Sequence, residues 1–116
     1  MAWKELIDES KIGAAGGVAA FSAIPVSVKE DYDIPDGGGR YVIVDSGEGT
    51  VRVNLPDPSV SDGYDVVIKV TDASNGVSIY PNDGENIDGS KDKIMLDVDN
   101  AYVRLVSDGV DWYVIG

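Results

Sequence analysis

Residues 65–80 read DVVIKVTDASNGVSIY, and this stretch decides the fold. Val66, Ile68 and Val70 alternate with other side chains, as in a strand that buries one face. The Asn-Gly dipeptide at 75–76 follows, and such a dipeptide tolerates the positive φ angles of a tight hairpin turn. A second apolar run, VSIY, comes directly after it. The stretch therefore predicts a strand, a turn and a second strand.

The same arrangement recurs along most of the chain. Mostly apolar or alternating runs lie at 41–44, 50–55, 93–98, 101–107 and 112–115. Their residues predicted to face the core are Val51, Val53, Leu55, Ile94, Leu96, Val98, Ala101, Val103 and Leu105. The turn dipeptides are Asp36-Gly37, Asp62-Gly63, Asp83-Gly84, Asp88-Gly89 and Asp108-Gly109. Because turns about every ten residues are typical of sandwiches and small barrels, we predict an all-β fold. The expected domain, residues 26–116, is an antiparallel sandwich or jelly-roll-like structure.

Residues 1–25 have a different character. Trp3, Leu6 and Ile7 share one face of a short helix candidate, and residues 12–24 are uncharged and built mostly of Gly and Ala. That run is too short and too weakly apolar to span a bilayer, and the basic start of a signal peptide is missing. We expect a short helical or extended segment that anchors the β domain to a partner. Large apolar side chains dominate interface energetics, so the candidate anchors are Trp3, Leu6, Ile7 and Phe21.

Composition excludes several classes of function. The 116 residues include 21 acids and 9 bases, a net charge of −12, and they contain neither His nor Cys. Imidazole bases, thiol nucleophiles, disulfides and haem ligation are therefore absent. The scattered basic residues offer no patch for nucleic acid or for an anionic membrane. We expect a protein that is not an enzyme and has no cofactor.

The acidic stretch DYDIPDGGGR, residues 31–40, is a candidate calcium site. Asp31, Asp33 and Asp36 offer hard oxygen ligands, but the glutamate that closes an EF-hand loop is missing. Residues 82–89 and 97–100 are similar. Such clusters arise freely in an acidic, turn-rich chain, so we predict no metal site.

Several strands are also apolar on the side that faces away from the core. The residues in question are Val67, Tyr102, Val106, Tyr113 and Ile115. We predict that they form contacts between copies of the chain, the alternative being aromatic pairs on a solvated sheet face. Trp112 and Tyr113 are also candidates for stacking on a sugar ring, the alternative being packing against cross-strand neighbours.

The segments NLPDPSVSDGYDVVIKVTDASNGVSIYPNDGENIDG and AYVRLVSDGVDWYVIG resemble small β domains of bacteriophage fibres, tail appendages and capsid decorations. The matching elements are LPD after an alternating strand, the GENIDG segment and the closing LVSDG and WYVI. The resemblance covers about residues 41–116 and implies a homotrimeric virion component, attached through its N-terminal segment to a capsid or tail protein. The size of the chain favours a capsid decoration or head-fibre protein. A tail fibre or baseplate adaptor and a receptor- or glycan-binding module are the alternatives.

Overall fold

The computed structural model describes residues 25–36, 41–60 and 64–116. The candidate anchors Trp3, Leu6, Ile7 and Phe21 lie outside the described residues. In the described part the strands are β1 (Val26–Val28), β2 (Tyr32–Asp33), β3 (Tyr41–Asp45), β4 (Val51–Asn54), β5 (Asp65–Asp72), β6 (Val77–Tyr80), β7 (Ile94–Leu96), β8 (Tyr102–Ser107) and β9 (Trp112–Val114). One turn of 3-10 helix, Pro58–Val60, lies between β4 and β5.

The strands form two sheets that enclose one core. The five-stranded sheet has the order β9-β8-β5-β3-β1, and the four-stranded sheet has the order β2-β4-β6-β7. The predicted all-β, sandwich-like fold is confirmed.

The predicted antiparallel pairing is wrong for much of the structure. Of the seven pairings between the described strands, four are parallel: β1 with β3, β2 with β4, β3 with β5, and β4 with β6. They are parallel because the chain crosses to the other sheet after β1, β3 and β5. We call each of these strand–turn–strand units an arch. The three arches, β1–β2, β3–β4 and β5–β6, stack on one another like the coils of a short β-solenoid.

The turn at residues 75–76 explains the error. Gly76 has a φ of 88°, the positive value that the sequence predicts. Val70 before the turn and Val77 after it are both fully buried, but they belong to different sheets and face the core from opposite sides. A hairpin within one sheet and an arch between two sheets place alternate apolar residues on the core equally well. The alternation therefore fits both connections.

Polar contacts hold the second and third arches in register at their turns. Ser46, which is fully buried, donates from its backbone N–H and its hydroxyl to the Asp72 carbonyl, at 2.8 and 2.9 Å. The Asn75 side-chain amide donates to the Ser46 carbonyl at 2.7 Å. The backbone N–H of Val51 donates to the Gly76 carbonyl at 3.2 Å. These bonds satisfy polar groups that burial would otherwise leave unpaired.

The C-terminal part of the chain covers the third arch with antiparallel strands. β7 pairs with β6 in one sheet, β8 pairs with β5 in the other, and β9 pairs with β8. The turn at Asp108-Gly109 joins β8 to β9 as the predicted hairpin, with Gly109 at a φ of 92°. Hairpin and arch thus occur in one chain, both built on a dipeptide that ends in glycine.

The core lies between the sheets, and parallel neighbours stack within it. Val42 lies beside Ile68 in the five-stranded sheet, and Val53 lies beside Ile79 in the four-stranded sheet. All four are at most 1% exposed, and burial of each such side chain stabilises the fold by about 1.5–3 kcal/mol. Most residues predicted to face inward do so. Val98 is an exception at 64% exposure, because β7 ends at Leu96.

We expect Gly76→Ala to lower the free energy of unfolding by about 1–2 kcal/mol, since an L-residue is strained at a positive φ. The Cβ itself has room, because its nearest neighbour is the Met95 Cε at 3.9 Å. Gly49→Ala is the matched control in the second arch, with no atom within 4 Å of the added Cβ and no positive φ. Urea denaturation measures both variants. If the two substitutions lowered the free energy of unfolding equally, the structure of the turn in the third arch, residues 75–76, would be contradicted.

Candidate functional site

The first candidate site is the face of the five-stranded sheet that points away from the core, which we call the outer face. Alternation along β5 and β8 directs Val67, Tyr102 and Val106 to this face. Tyr113 lies beside Val106 in the register of β9 with β8. Ile115 follows two residues later, and its backbone N–H donates to the Arg104 carbonyl at 2.8 Å. The structure therefore brings all five predicted contact residues together on one surface.

Two further residues extend this surface. Tyr41 lies beside Val67, and Ile43 lies beside Lys69, in the register of β3 with β5. Alternation in the run YVIV indicates their orientation, since Val42 and Val44 face the core and Tyr41 and Ile43 therefore point outward. The sequence did not show that β3 would lie next to β5. Tyr41, Tyr102, Tyr113 and Ile115 are 37%, 60%, 39% and 52% exposed.

The charged groups on the outer face balance one another. Arg104 donates from Nε and Nη2 to the Asp65 Oδ2, both at 3.0 Å. The Lys69 Nζ lies 5.8 Å from the centroid of the Tyr102 ring and donates to the Asn100 carbonyl at 2.9 Å. The strand residues that alternate outward on β3, β5 and β8 include two cations, Lys69 and Arg104, and two anions, Asp45 and Asp65, although the whole chain carries a charge of −12.

Tyr113 stands at the acidic edge of this face. The negative charge of Asp108 is the main cause that raises the pKa of the Tyr113 hydroxyl, followed by burial and the charge of Asp111. Asp88 is also near, and its Oδ1 accepts from the Val114 backbone N–H at 3.0 Å. The hydroxyl therefore stays neutral and can donate a hydrogen bond over the physiological pH range.

Of the two alternatives for Trp112, stacking on a sugar ring and packing within the protein, the structure shows the second. Trp112 has no exposed surface, and its indole N–H donates to the Pro56 carbonyl at 3.0 Å. Its backbone N–H donates to the Asn86 carbonyl at 3.0 Å, and its carbonyl accepts from the Asp88 N–H at 2.9 Å. The alternative, packing within the protein, is the observed arrangement for Trp112. Tyr113 remains on the surface.

The three aspartates considered for calcium bind their own chain instead. Their Oδ1 atoms accept hydrogen bonds from residues at or after β4. Asp31 accepts from the Arg52 backbone N–H at 2.8 Å. Asp33 accepts from the Asn54 side-chain amide at 2.6 Å, and Asp36 accepts from the Asp57 backbone N–H at 3.2 Å. Within residues 25–36, 41–60 and 64–116, no group of three or more acidic side chains is arranged to hold a metal ion.

Other aspartates stabilise turns in a similar way. The Ser59 hydroxyl and backbone N–H both donate to Asp57, at 2.7 and 2.9 Å, and the Ser74 hydroxyl and N–H donate to Asp72. Asp108 accepts from the backbone N–H groups of Asp111 and Val110, each at 2.9 Å. These bonds favour the ionised form, so the pKa of each of the three carboxyls is lowered.

The second candidate site is an open groove of about 820 Å³ on the other side of the molecule. Asp33, Asn54 and Tyr80 are the last residues of β2, β4 and β6, and they lie side by side because these parallel strands end at the same edge. The guanidinium carbon of Arg52 lies 3.6 Å from the centroid of the Tyr80 ring, and its Nε donates to the Asn54 Oδ1 at 2.7 Å. Sequence reasoning missed this site, because it depends on the parallel stacking of the arches.

Neither the protein-family models nor the curated proteins searched with this sequence gave a match. Within the described ranges, no helix is long and apolar enough to cross a membrane. The function is therefore inferred from the two surfaces above and from the resemblance in sequence.

The lowered pKa values predict a loss of stability in acid. A carboxyl whose pKa is lower in the folded than in the unfolded chain stabilises the fold above its usual value of 3.8, and this contribution disappears as the pH falls through the folded value. We expect the thermal midpoint to fall between about pH 5 and pH 2. The combined variant Asp57→Asn, Asp72→Asn and Asp108→Asn should show a smaller fall, because asparagine keeps the acceptor oxygen without the charge.

The control for this pH series is Asp92→Asn. Asp92 is exposed, and its carboxylate accepts no hydrogen bond from the described residues. The thermal midpoint of the Asp92→Asn variant should show the same pH dependence as that of the parent protein. A triple variant with the same acid sensitivity as the parent would contradict this role of the turn carboxylates.

Proposed function

We propose that the chain is a structural protein of a bacteriophage virion, a homotrimer that decorates the capsid or forms a head fibre. Copies associate through the outer face, and residues 1–25 attach the trimer to a capsid protein. The aromatic outer face, whose strands β3, β5 and β8 carry as many outward cations as anions, is the observation that carries the proposal. A tail or baseplate location would use the same two surfaces with a different partner.

Electrostatics favour this face for contact between copies. Chains that each carry a charge of −12 repel one another, and burial of unpaired carboxylates between them costs further free energy. The outer face reduces the second cost because Asp65 is already paired with Arg104. Contact between copies also removes exposed apolar surface from water, including the rings of Tyr41 and Tyr102.

The composition of the face also fits an interface. Tyr and Arg are enriched among residues that contribute most to binding, and the outer face has three tyrosines around Arg104. Tyr41 on β3 and Tyr102 and Arg104 on β8 project from strands that are hydrogen-bonded on both sides, and Tyr113 lies on the edge strand β9. Association would therefore order few additional groups, and its entropic cost would be small.

The motifs that carry the phage resemblance act in the structure as fold determinants. LPD contributes the Pro56 carbonyl that accepts the Trp112 indole N–H. GENIDG contributes buried Ile87, which forms a bridge with Trp112, and a tight turn at Asp88-Gly89 in which both residues have positive φ. In this chain the motifs therefore contribute to packing and to turn formation.

If copies associate through the outer face, negative charge introduced there should prevent self-association. We expect Tyr102→Glu with Ile115→Glu to convert a trimer into monomers in sedimentation equilibrium, since each side chain is more than half exposed in the single chain and loses apolar contact in the assembly. Loss of a contact that contributes strongly to an interface costs at least about 2 kcal/mol. Val98→Glu is the control, because Val98 is 64% exposed and lies outside this face. A parent protein that is monomeric at about 100 μM, well above a Kd of 1 μM, would refute the proposal.

Deletion of residues 1–24 separates the two proposed functions of the chain. We expect the truncated protein to remain trimeric and to lose its incorporation into particles, measured by immunoblotting of purified virions. Normal incorporation of the truncated protein would show that the anchor proposal is wrong. A truncated protein that is monomeric would place trimerisation in the N-terminal segment instead of the outer face.

A further inference from the structure

We propose that the groove on the four-stranded sheet is a binding site for a neutral saccharide. The groove lies at the carboxyl ends of β2, β4 and β6, where the parallel strands present Asp33, Asn54 and Tyr80 in one row. Adjacent members of such a row lie about 4.8 Å apart, so one ligand can contact all three. Nothing in the proposed structural function requires this site.

The polar groups of the groove are held in place before any ligand arrives. Arg52 is fixed by its stacking on Tyr80 and by its bond to Asn54, and Asn54 donates in turn to Asp33 at 2.6 Å. Asp57, which also lines the groove, is held by Ser59, while its backbone N–H donates to Asp36. Side chains fixed on rigid strands lose little entropy when they bind a ligand.

The groove offers both hydrogen-bond donors and hydrogen-bond acceptors to a ligand. The two Nη groups of Arg52 donate to no acceptor among the described residues, and its Nε is the only nitrogen of that guanidinium used within them. Asp83 and Glu85 line the groove, and their carboxylates accept no hydrogen bond from the described part of the chain. Sugar hydroxyls both donate and accept, so they match a site that offers donors next to acceptors.

The lining also has the apolar surface that a sugar ring needs. Tyr80 and Pro81 are partly exposed in the groove and supply this surface, while Leu55 and Pro56 are buried beneath it and Arg52 covers one face of the Tyr80 ring. The volume of about 820 Å³ lies within the range of about 300–1,000 Å³ for small-molecule sites. This space accommodates more than one sugar unit.

Charge decides which saccharides fit. Five carboxylates line the groove against two cations, Arg52 and Lys91, so sulfated, phosphorylated or sialylated sugars are repelled. The same excess of carboxylates attracts cations, although the guanidinium of Arg52 repels them in the middle of the row, and for this reason a cationic probe belongs in the test. A neutral saccharide meets no charge repulsion, and its hydroxyls can use both the Arg52 donors and the carboxylate acceptors.

Saturation-transfer NMR with the full-length protein tests the proposal. The probes are neutral oligosaccharides (maltotriose, cellotriose, chitobiose and lactose), anionic sialyllactose, and cationic spermidine, each at about 10 mM so that a Kd of order 1 mM is detected. We expect transfer to at least one neutral probe and none to sialyllactose. No transfer to any neutral probe, or transfer to sialyllactose or spermidine alone, would overturn the proposal.

Matched variants locate the binding. Arg52→Gln removes a guanidinium from the groove, and Arg104→Gln removes one from the outer face of the other sheet. We expect the first to weaken saccharide binding at least about tenfold, as for loss of a hydrogen bond to a charged group, and the second to leave it unchanged. Asn82→Ala, in the loop after β6, tests the same groove without a change in any strand, and it should weaken binding severalfold. Unaltered binding by both groove variants, with the fold verified by circular dichroism, would sink the idea.

The test of saccharide binding and the test of self-association are independent of each other. The groove and the outer face lie on opposite sheets, so sedimentation of Arg52→Gln should give the mass of the parent protein. A trimer that binds no saccharide would overturn this inference alone. A monomer that binds a neutral saccharide through Arg52 would overturn the proposed trimer and leave the groove intact.

Discussion

Parallel stacking of the three arches is the constraint on which the other features depend. Strands of two to eight residues cannot form a stable sheet alone, and each arch places its two strands in different sheets. Every strand must therefore pair with the equivalent strand of the next arch. This pairing aligns Val42 with Ile68 and Val53 with Ile79 inside the core. The same alignment collects Tyr41 and Val67 on the outer face, and Asp33, Asn54 and Tyr80 beside the groove.

The acidic composition has a structural origin in much of the described chain. Turns and arch connections expose backbone N–H groups, and aspartate oxygens accept from them at Asp31, Asp45, Asp72, Asp99 and Asp108. The excess of negative charge that results limits where copies can meet. Only a surface with its own cations, such as the outer face with Lys69 and Arg104, can be covered by another copy without strong repulsion. Local turn chemistry and proposed assembly are thus connected through charge.

Much of the fold could be predicted from particular residues. The alternation of Val66, Ile68 and Val70 indicated a half-buried strand, and the glycines at 76 and 109 were correctly expected at turns with positive φ. The outward set from Val67 to Ile115 could also be predicted, because alternation alone decides which side of a strand a residue occupies. The burial of the Trp112 side chain could not be predicted, since one indole on a strand is equally compatible with stacking at the surface and with a core position. The buried carbonyl of Pro56, 56 residues earlier in the chain, decided the matter.

The sequence by itself determined the strands, the turns and the two faces of each strand, since these follow from the local alternation of side chains and from the φ preferences of glycine. The tertiary structure decided which strands are neighbours. A glycine turn permits both a hairpin and an arch, and the choice depends on whether the following apolar run finds its partner in the same sheet or across the core. At residues 75–76 the chain crosses the core, and at 108–109 it stays in one sheet. The groove exists only because of the first of these choices, which aligned the ends of three strands that are far apart in sequence.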